Sequence, residues 1–223
     1  MSKNSLVQKI TLADFDAVLF DFDGVIADSE SLHVSTKKEA LKAFGIAYDD
    51  AQIMSFQGSP ETSFFNYYAE LNHQDAEKML GMKRQLFNKK IDQIEAISGA
   101  IPFIKKLNQY KPCYVVTSSI RVQIDCFIKR HKLDQDFNGY ITCDDVTLHK
   151  PHPEPYLVCM QQHYLKAKYC LVIEDSPNGI TSAKAAGCFS IGLIGAFSAK
   201  DLRERGADII VDSYSELEFL IGL

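Results

Sequence analysis

Short, uniformly apolar runs recur along the chain, at Ala17–Phe20, Tyr114–Val116, Cys170–Ile173, Phe189–Leu193 and Ile209–Val211. Runs of this kind predict strands buried on both faces of a parallel sheet, not strands with one wet face. Helical patterns separate the later ones. That alternation predicts an α/β fold, a Rossmann-like parallel sheet with helices on both faces.

One interval breaks the rhythm. After Asp23 no buried strand is evident until Tyr114, and from about Ser31 to Ile97 the pattern is helical. Leu41, Phe44 and Gly45 read as a helix end with a glycine just past it. Ser59-Pro60 reads as an N-cap followed by proline in the first turn. Met79, Met82 and Leu86 recur at helical spacing, as packing inside a helical bundle would require. The chain is therefore expected to consist of a sheet domain, residues 1–29 and 99–223, interrupted by an α-helical insert, residues 30–98. An insert that starts just after Asp23 is placed to act as a lid. Gly99 marks the return to the sheet.

Composition narrows the classes. With 223 residues and 46% hydrophobic content the chain can build a proper core. A formal net charge of −5 without a long basic run argues against nucleic acid as a partner. No stretch is long and apolar enough to predict a membrane span. Met1 to Asp14 lacks the apolar centre of a signal peptide, so the cytoplasm is the expected location, with the chain a monomer or weak dimer. The six cysteines form no C-x-x-C pair and are expected as free thiols. His149 and His152 have no further ligand at zinc spacing.

The chemistry gathers where apolar runs end. Asp21-Phe22-Asp23-Gly24 follows the first, placing two carboxylates at the carboxyl end of a buried strand, where function in such sheets collects. Gly24 permits a sharp turn and a close backbone approach. Thr117-Ser118-Ser119 follows the second. Small hydroxyl residues there either cradle a phosphate, through the Thr117 hydroxyl and the amides of Ser118 and Ser119, or simply cap a helix. Pro151 and Pro153 stiffen the backbone around Lys150, a point charge suited to a phosphoryl group. Glu174-Asp175 ends a third run. Buried like charges at two strand ends call for a cation, and Asp21, Asp175 and Glu174 with a carbonyl and waters suit Mg²⁺. The pattern points to metal-assisted chemistry on a small phosphorylated metabolite.

These four elements, in this order, resemble the haloacid dehalogenase-like superfamily of aspartate-nucleophile phosphotransferases. The resemblance covers nearly the whole chain. The insert, entered through Asp28-Ser29-Glu30-Ser31-Leu32-His33, is similar to the cap of the β-phosphoglucomutase and sugar-phosphatase branch. The resemblance implies that Asp21 is the nucleophile and a metal ligand. It implies that Asp23 is the general acid and base, with its backbone carbonyl on Mg²⁺. Thr117, Ser118 and Lys150 would hold the phosphoryl group, and Asp175 and Glu174 would bind the metal, Glu174 directly or through water. Among cap residues His33, Gly58 and Glu61 are candidates for substrate contact. The mutases carry an arginine three residues past a cap glycine that matches Gly58; here Glu61 stands there, and a carboxylate repels a second phosphate. The expectation is a Mg²⁺-dependent phosphatase of a sugar, polyol or sugar-acid phosphate, working through an aspartyl-phosphate. A phosphomutase and a non-catalytic phosphate-binding protein are the alternatives.

Overall fold

A computed structural model describes residues 10–56 and 61–223. Its sheet strands are β1 (Ala17–Phe20), β4 (Cys113–Val116), β5 (Gly139–Ile141), β6 (Cys170–Glu174), β7 (Phe189–Leu193) and β8 (Ile209–Val211). A separate ribbon pairs β2 (Ala27–Asp28) with β3 (Glu95–Ala96). The helices of the insert are α1 (Glu30–Ala43), α2 (Asp50–Ser55), α3 (Glu61–Asn72) and α4 (Ala76–Lys90). Around the sheet lie α5 (Ala100–Leu107), α6 (Arg121–His131), α7 (Glu154–Gln162), α8 (Pro177–Ala185), α9 (Ala199–Glu204) and α10 (Tyr214–Ile221).

The sheet is parallel, in the order β5-β4-β1-β6-β7-β8. Strand β1 lies between β4 and β6, with Phe20 opposite Val115 on one side and Ile173 on the other. From β1 the chain runs to one half of the sheet and later crosses to the other. That reversal opens a crevice at the carboxyl end of β1, where ligands bind in open α/β sheets. Strands β1, β4 and β6 are buried along their whole length, as the apolar runs predict. The sheet packs between two apolar clusters, one built on Val18, Phe20, Phe103 and Phe127, the other on Leu19, Val116, Tyr156 and Val172.

Helices α1 and α3 each pack on α4 and share with α2 a third apolar cluster that includes Leu41, Ile53, Phe64, Phe65 and Met79. The stripe at Met79, Met82 and Leu86 belongs to that cluster. Helix α1 ends at Ala43, and Gly45 follows with φ 69°, the left-handed turn that favours glycine. Gly99, with φ 85°, begins the return through α5. All six cysteines are free.

Two features depart from expectation. Strand β5 has only three residues at the sheet edge, too short to stand out as an apolar run. The two-residue ribbon of β2 and β3 ties both connections of the insert together, and segments that short carry no periodicity. Ser59-Pro60 and Gly58 lie outside the described residues.

Candidate active site

Asp21 follows directly on β1 and is nearly buried. Lys150 reaches it from the loop before α7, with Nζ 2.7 Å from Asp21 Oδ1, 2.8 Å from the Val116 carbonyl and 2.8 Å from Glu174 Oε1. All three ammonium hydrogens therefore have acceptors. Burial opposes the charge on Lys150, but Asp21 and Glu174 outweigh it and raise its pKa well above the usual lysine range. The Tyr156 ring lies 5.0 Å from Nζ, a cation–π contact at a buried site.

Glu174, the last residue of β6, is fully buried. Its Oε1 accepts from Lys150, and its Oε2 accepts from the Ser176 amide and hydroxyl, both at 2.9 Å. Gly179 makes room for this carboxylate: a Cβ there would lie 1.6 Å from Glu174 Oε1. Asp175 is next to it, pressed against Gly24, where a Cβ would lie 2.0 Å from Asp175 Oδ2. Gly24 also has φ 74°. Both glycines are required by close approach.

One oxygen each from Asp21, Glu174 and Asp175 falls within a 4.8 Å cluster. Burial first, then the pull of Lys150 against the push of Glu174 and Asp23, leaves the Asp21 pKa raised to about 7. Burial and the charges of Glu174, Asp21 and Asp23 push Asp175 well up. One lysine cannot balance three buried carboxylates. The donor set is all oxygen and carries excess negative charge, which fits a hard divalent cation. Asp21 and Asp175 suit direct ligation. Glu174 has both oxygens already engaged by protein donors, which suits contact through water.

The Asp23 carboxylate is outside this cluster. It turns the other way and accepts hydroxyl hydrogen bonds from Ser29 on Oδ1 and Ser119 on Oδ2. Ser29 is the N-cap residue of α1 but makes no capping bond with its side chain; its hydroxyl serves Asp23 instead. Thr117 is buried behind this loop, and its Oγ1 accepts from the Ser119 amide at 3.0 Å. The Ser119 amide is thus committed, contrary to the sequence reading that offers it to phosphate. Thr117 itself is 1% exposed and lines neither of the two cavities at this site. Ser118 lines the cavity.

A cavity of about 630 Å³ opens over the carboxylates, and a second of about 610 Å³ continues beneath the helical insert. Asp23, His33 and Ser118 line both. Glu61 lines the second but is not a bare carboxylate: Lys83 on α4, only 2% exposed, makes an ion pair with it. Lys83 Nζ also lies 2.7 Å from His33 Nδ1. An ammonium only donates, so Nδ1 accepts, and the 3.5 Å approach of His33 to Glu61 is a proximity and not an ion pair. Burial opposes ionisation of Glu61, but the charge and hydrogen bond of Lys83 hold its pKa well below the usual carboxylate range. The His33 ring stacks on Phe87 at 4.4 Å.

The model of the family described as haloacid dehalogenase-like hydrolase matches residues 18–193. The chain belongs to the haloacid dehalogenase-like hydrolases. Among similar members is the fructose-1-phosphate phosphatase YqaB of Escherichia coli (strain K12), 28% identical over 78% of this chain and 93% of the relative. Another is the validoxylamine A 7'-phosphate phosphatase of Streptomyces hygroscopicus subsp. limoneus, 28% identical over 92% of this chain and 97% of the relative. A family hydrolase from Deinococcus radiodurans R1, solved with bound phosphate and sodium, superposes with a TM-score of 0.78 at 27% identity, covering 92% of this chain and 94% of that one. In this family member, Ser29, Lys83, Ser176 and Tyr156 join the site without having been singled out for it by the sequence. Ser29 and Ser176 carry a signal, each a hydroxyl residue at the start of a helix, Ser176 with proline after it.

Proposed function

We propose that this hydrolase is a Mg²⁺-dependent phosphatase of small phosphate monoesters, a sugar, polyol or sugar-acid phosphate, and that Asp21 is its nucleophile. The observation that carries this reading is the split of the acids. Asp21, Glu174 and Asp175 cluster around a buried lysine, while Asp23 stands outside that cluster on two hydroxyl donors and lines both cavities. Phosphatases among its relatives support the reaction class.

Asp21 attacks phosphorus in line with the bond to the leaving oxygen and forms an aspartyl-phosphate. Lys150, already on Asp21, orients the attacking oxygen and draws phosphoryl charge. Thr117 and Ser118 donate to the phosphoryl oxygens. Asp23 gives its proton to the departing alkoxide as the phosphorus–oxygen bond breaks. The same carboxylate then takes a proton from water, which attacks phosphorus and releases Asp21 and free phosphate. Asp21 and Asp175, with Glu174 beside them and the Asp23 carbonyl, would hold a divalent cation, which when bound would supply further positive charge for the transferring group. Helices α1–α4 act as a cap that excludes water. Glu61 uses up the Lys83 charge where a mutase would carry its arginine, which favours water as the acceptor.

The test is phosphate release from a panel of sugar, polyol and sugar-acid phosphates, with Mg²⁺ and with chelator. Mg²⁺-dependent release is expected, abolished in Asp21→Asn with the fold intact. Wild-type-like turnover by that variant removes Asp21 as nucleophile.

A further inference from the structure

The second cavity carries a charge that no ion pair among the described residues answers. Helix α4 turns one face toward it, with Lys83, Arg84, Phe87 and Asn88 along that face, and Gln123 of α6 stands among the same lining residues. The cavity's other charges are matched inside the protein. Asp23 takes hydroxyls from Ser29 and Ser119, and Glu61 takes the ammonium of Lys83. Glu39, another carboxylate of the insert, pairs with Lys90. Arg84 makes no ion pair among the described residues, and the undescribed segments 1–9 and 57–60 contain no Asp or Glu. Arg84 is exposed and belongs to the cavity lining.

Resting on the phosphatase reading, we propose that Arg84 is a specificity residue. It receives a second anionic group, carboxylate or phosphate, on the part of the substrate that departs from the phosphoryl centre. A guanidinium offers a fork of donors that fits either group with two parallel hydrogen bonds, and the Asn88 and Gln123 amides add neutral donors beside it. The Lys83 ammonium offsets the Glu61 carboxylate, which leaves Arg84 as the cavity's cation without an ion pair among the described residues. A neutral polyol would leave Arg84 with water as its only partner. A phosphorylated sugar acid or a bisphosphate would engage it while its other end lies at Asp21.

The experiment measures phosphate release in Mg²⁺ from three substrates of one carbon skeleton: sorbitol 6-phosphate, 6-phosphogluconate and sorbitol 1,6-bisphosphate. The expected result is kcat/KM at least about tenfold higher for one anionic compound than for sorbitol 6-phosphate, the worth of one charge-assisted contact. The carboxylate and phosphate arms show which anion is meant. Arg84→Met is expected to bring the ratio close to one, chiefly through KM for the anionic substrate, and Arg84→Lys to restore part of it. Arg84 is exposed, and an unchanged melting temperature verifies that both variants fold. Equal or better use of sorbitol 6-phosphate by the wild type, or a ratio indifferent to Arg84→Met, overturns the assignment alone. Release from none of the three overturns the phosphatase reading with it.

Discussion

Gly179→Ala sets helix propensity against site geometry. Gly179 lies in the first turn of α8, and by propensity alone alanine in a helix gains about 1 kcal/mol over glycine. The new Cβ, however, would fall 1.6 Å from Glu174 Oε1 and 1.8 Å from its carboxyl carbon. Glu174 cannot swing aside without leaving Lys150 and both Ser176 donors, and a buried carboxylate stripped of its partners costs about 3–5 kcal/mol. The cheaper response is a shift of α8, and overpacking of this severity costs about 3 kcal/mol. Set against the propensity gain, the net loss is about 2 kcal/mol, a fall in melting temperature of about 4–8 °C for a domain of this size. Activity should fall further than stability, since displacing Glu174 releases Lys150 from its seat on Asp21. Gly81→Ala in α4 is the control: nothing lies within 4 Å of a Cβ there. It should raise stability by about 1 kcal/mol and the melting temperature by about 2–4 °C. Thermal unfolding and phosphate release on both variants decide the matter. A Gly179→Ala protein as stable and active as Gly81→Ala would refute the account of Glu174 as a pinned, buried anchor.

Three further outcomes follow from the same charges. Glu61 has its pKa lowered to about 2, so its stabilising pair is fully present above the unfolded carboxyl pKa and fades as pH falls toward 2. The stability gap between wild type and Glu61→Gln in urea should accordingly be widest at neutral pH, narrow below about pH 4 and close near pH 2; a gap that widens in acid contradicts the pairing. Mg²⁺ should raise the melting temperature of the wild type and leave that of Asp175→Asn little changed, as measured by calorimetry with and without the ion. An equal shift in both would move the cation away from Asp175. Lys83→Met should cost about 3 kcal/mol in urea unfolding, because it leaves Glu61 without its cation in a partly buried site; a cost near zero would show the pair to be idle.

Legibility in the sequence followed locality. Asp21, Asp23 and the Glu174-Asp175 pair were readable because each ends an apolar run, and a parallel sheet brings such ends together. The insert was readable because Gly45 and Gly99 mark turns and the Met79 stripe keeps a helical period. What escaped depends on partners distant in sequence. Lys83 sits on the same helix as that stripe and looks like one more solvated charge. Its burial comes from Glu61, 22 residues away, and His33, 50 residues away. The hydroxyls of Ser29 and Ser119 are separated by ninety positions in the chain and meet only on Asp23, an arrangement that no spacing rule encodes. The Ser119 amide was misassigned for the opposite reason. A strictly local bond to Thr117 competes for it, as short hydroxyl side chains do in loops.

The two cavities divide the proposed chemistry at one residue. Asp21, Glu174 and Asp175 line only the first, and Glu61, Lys83 and Arg84 only the second, while Asp23 lines both. On the proposed reaction the bond that breaks joins a phosphoryl group in the first to an alcohol in the second, so the scissile oxygen must lie beside Asp23. The acid that protonates that oxygen is therefore the acid on the boundary. Its two hydroxyl partners come from opposite sides of it, Ser29 from the entry to α1 and Ser119 from the loop after β4. On the proposed reaction, the placing of Asp23 depends on a hydroxyl from the start of the helical insert as well as one from the sheet domain.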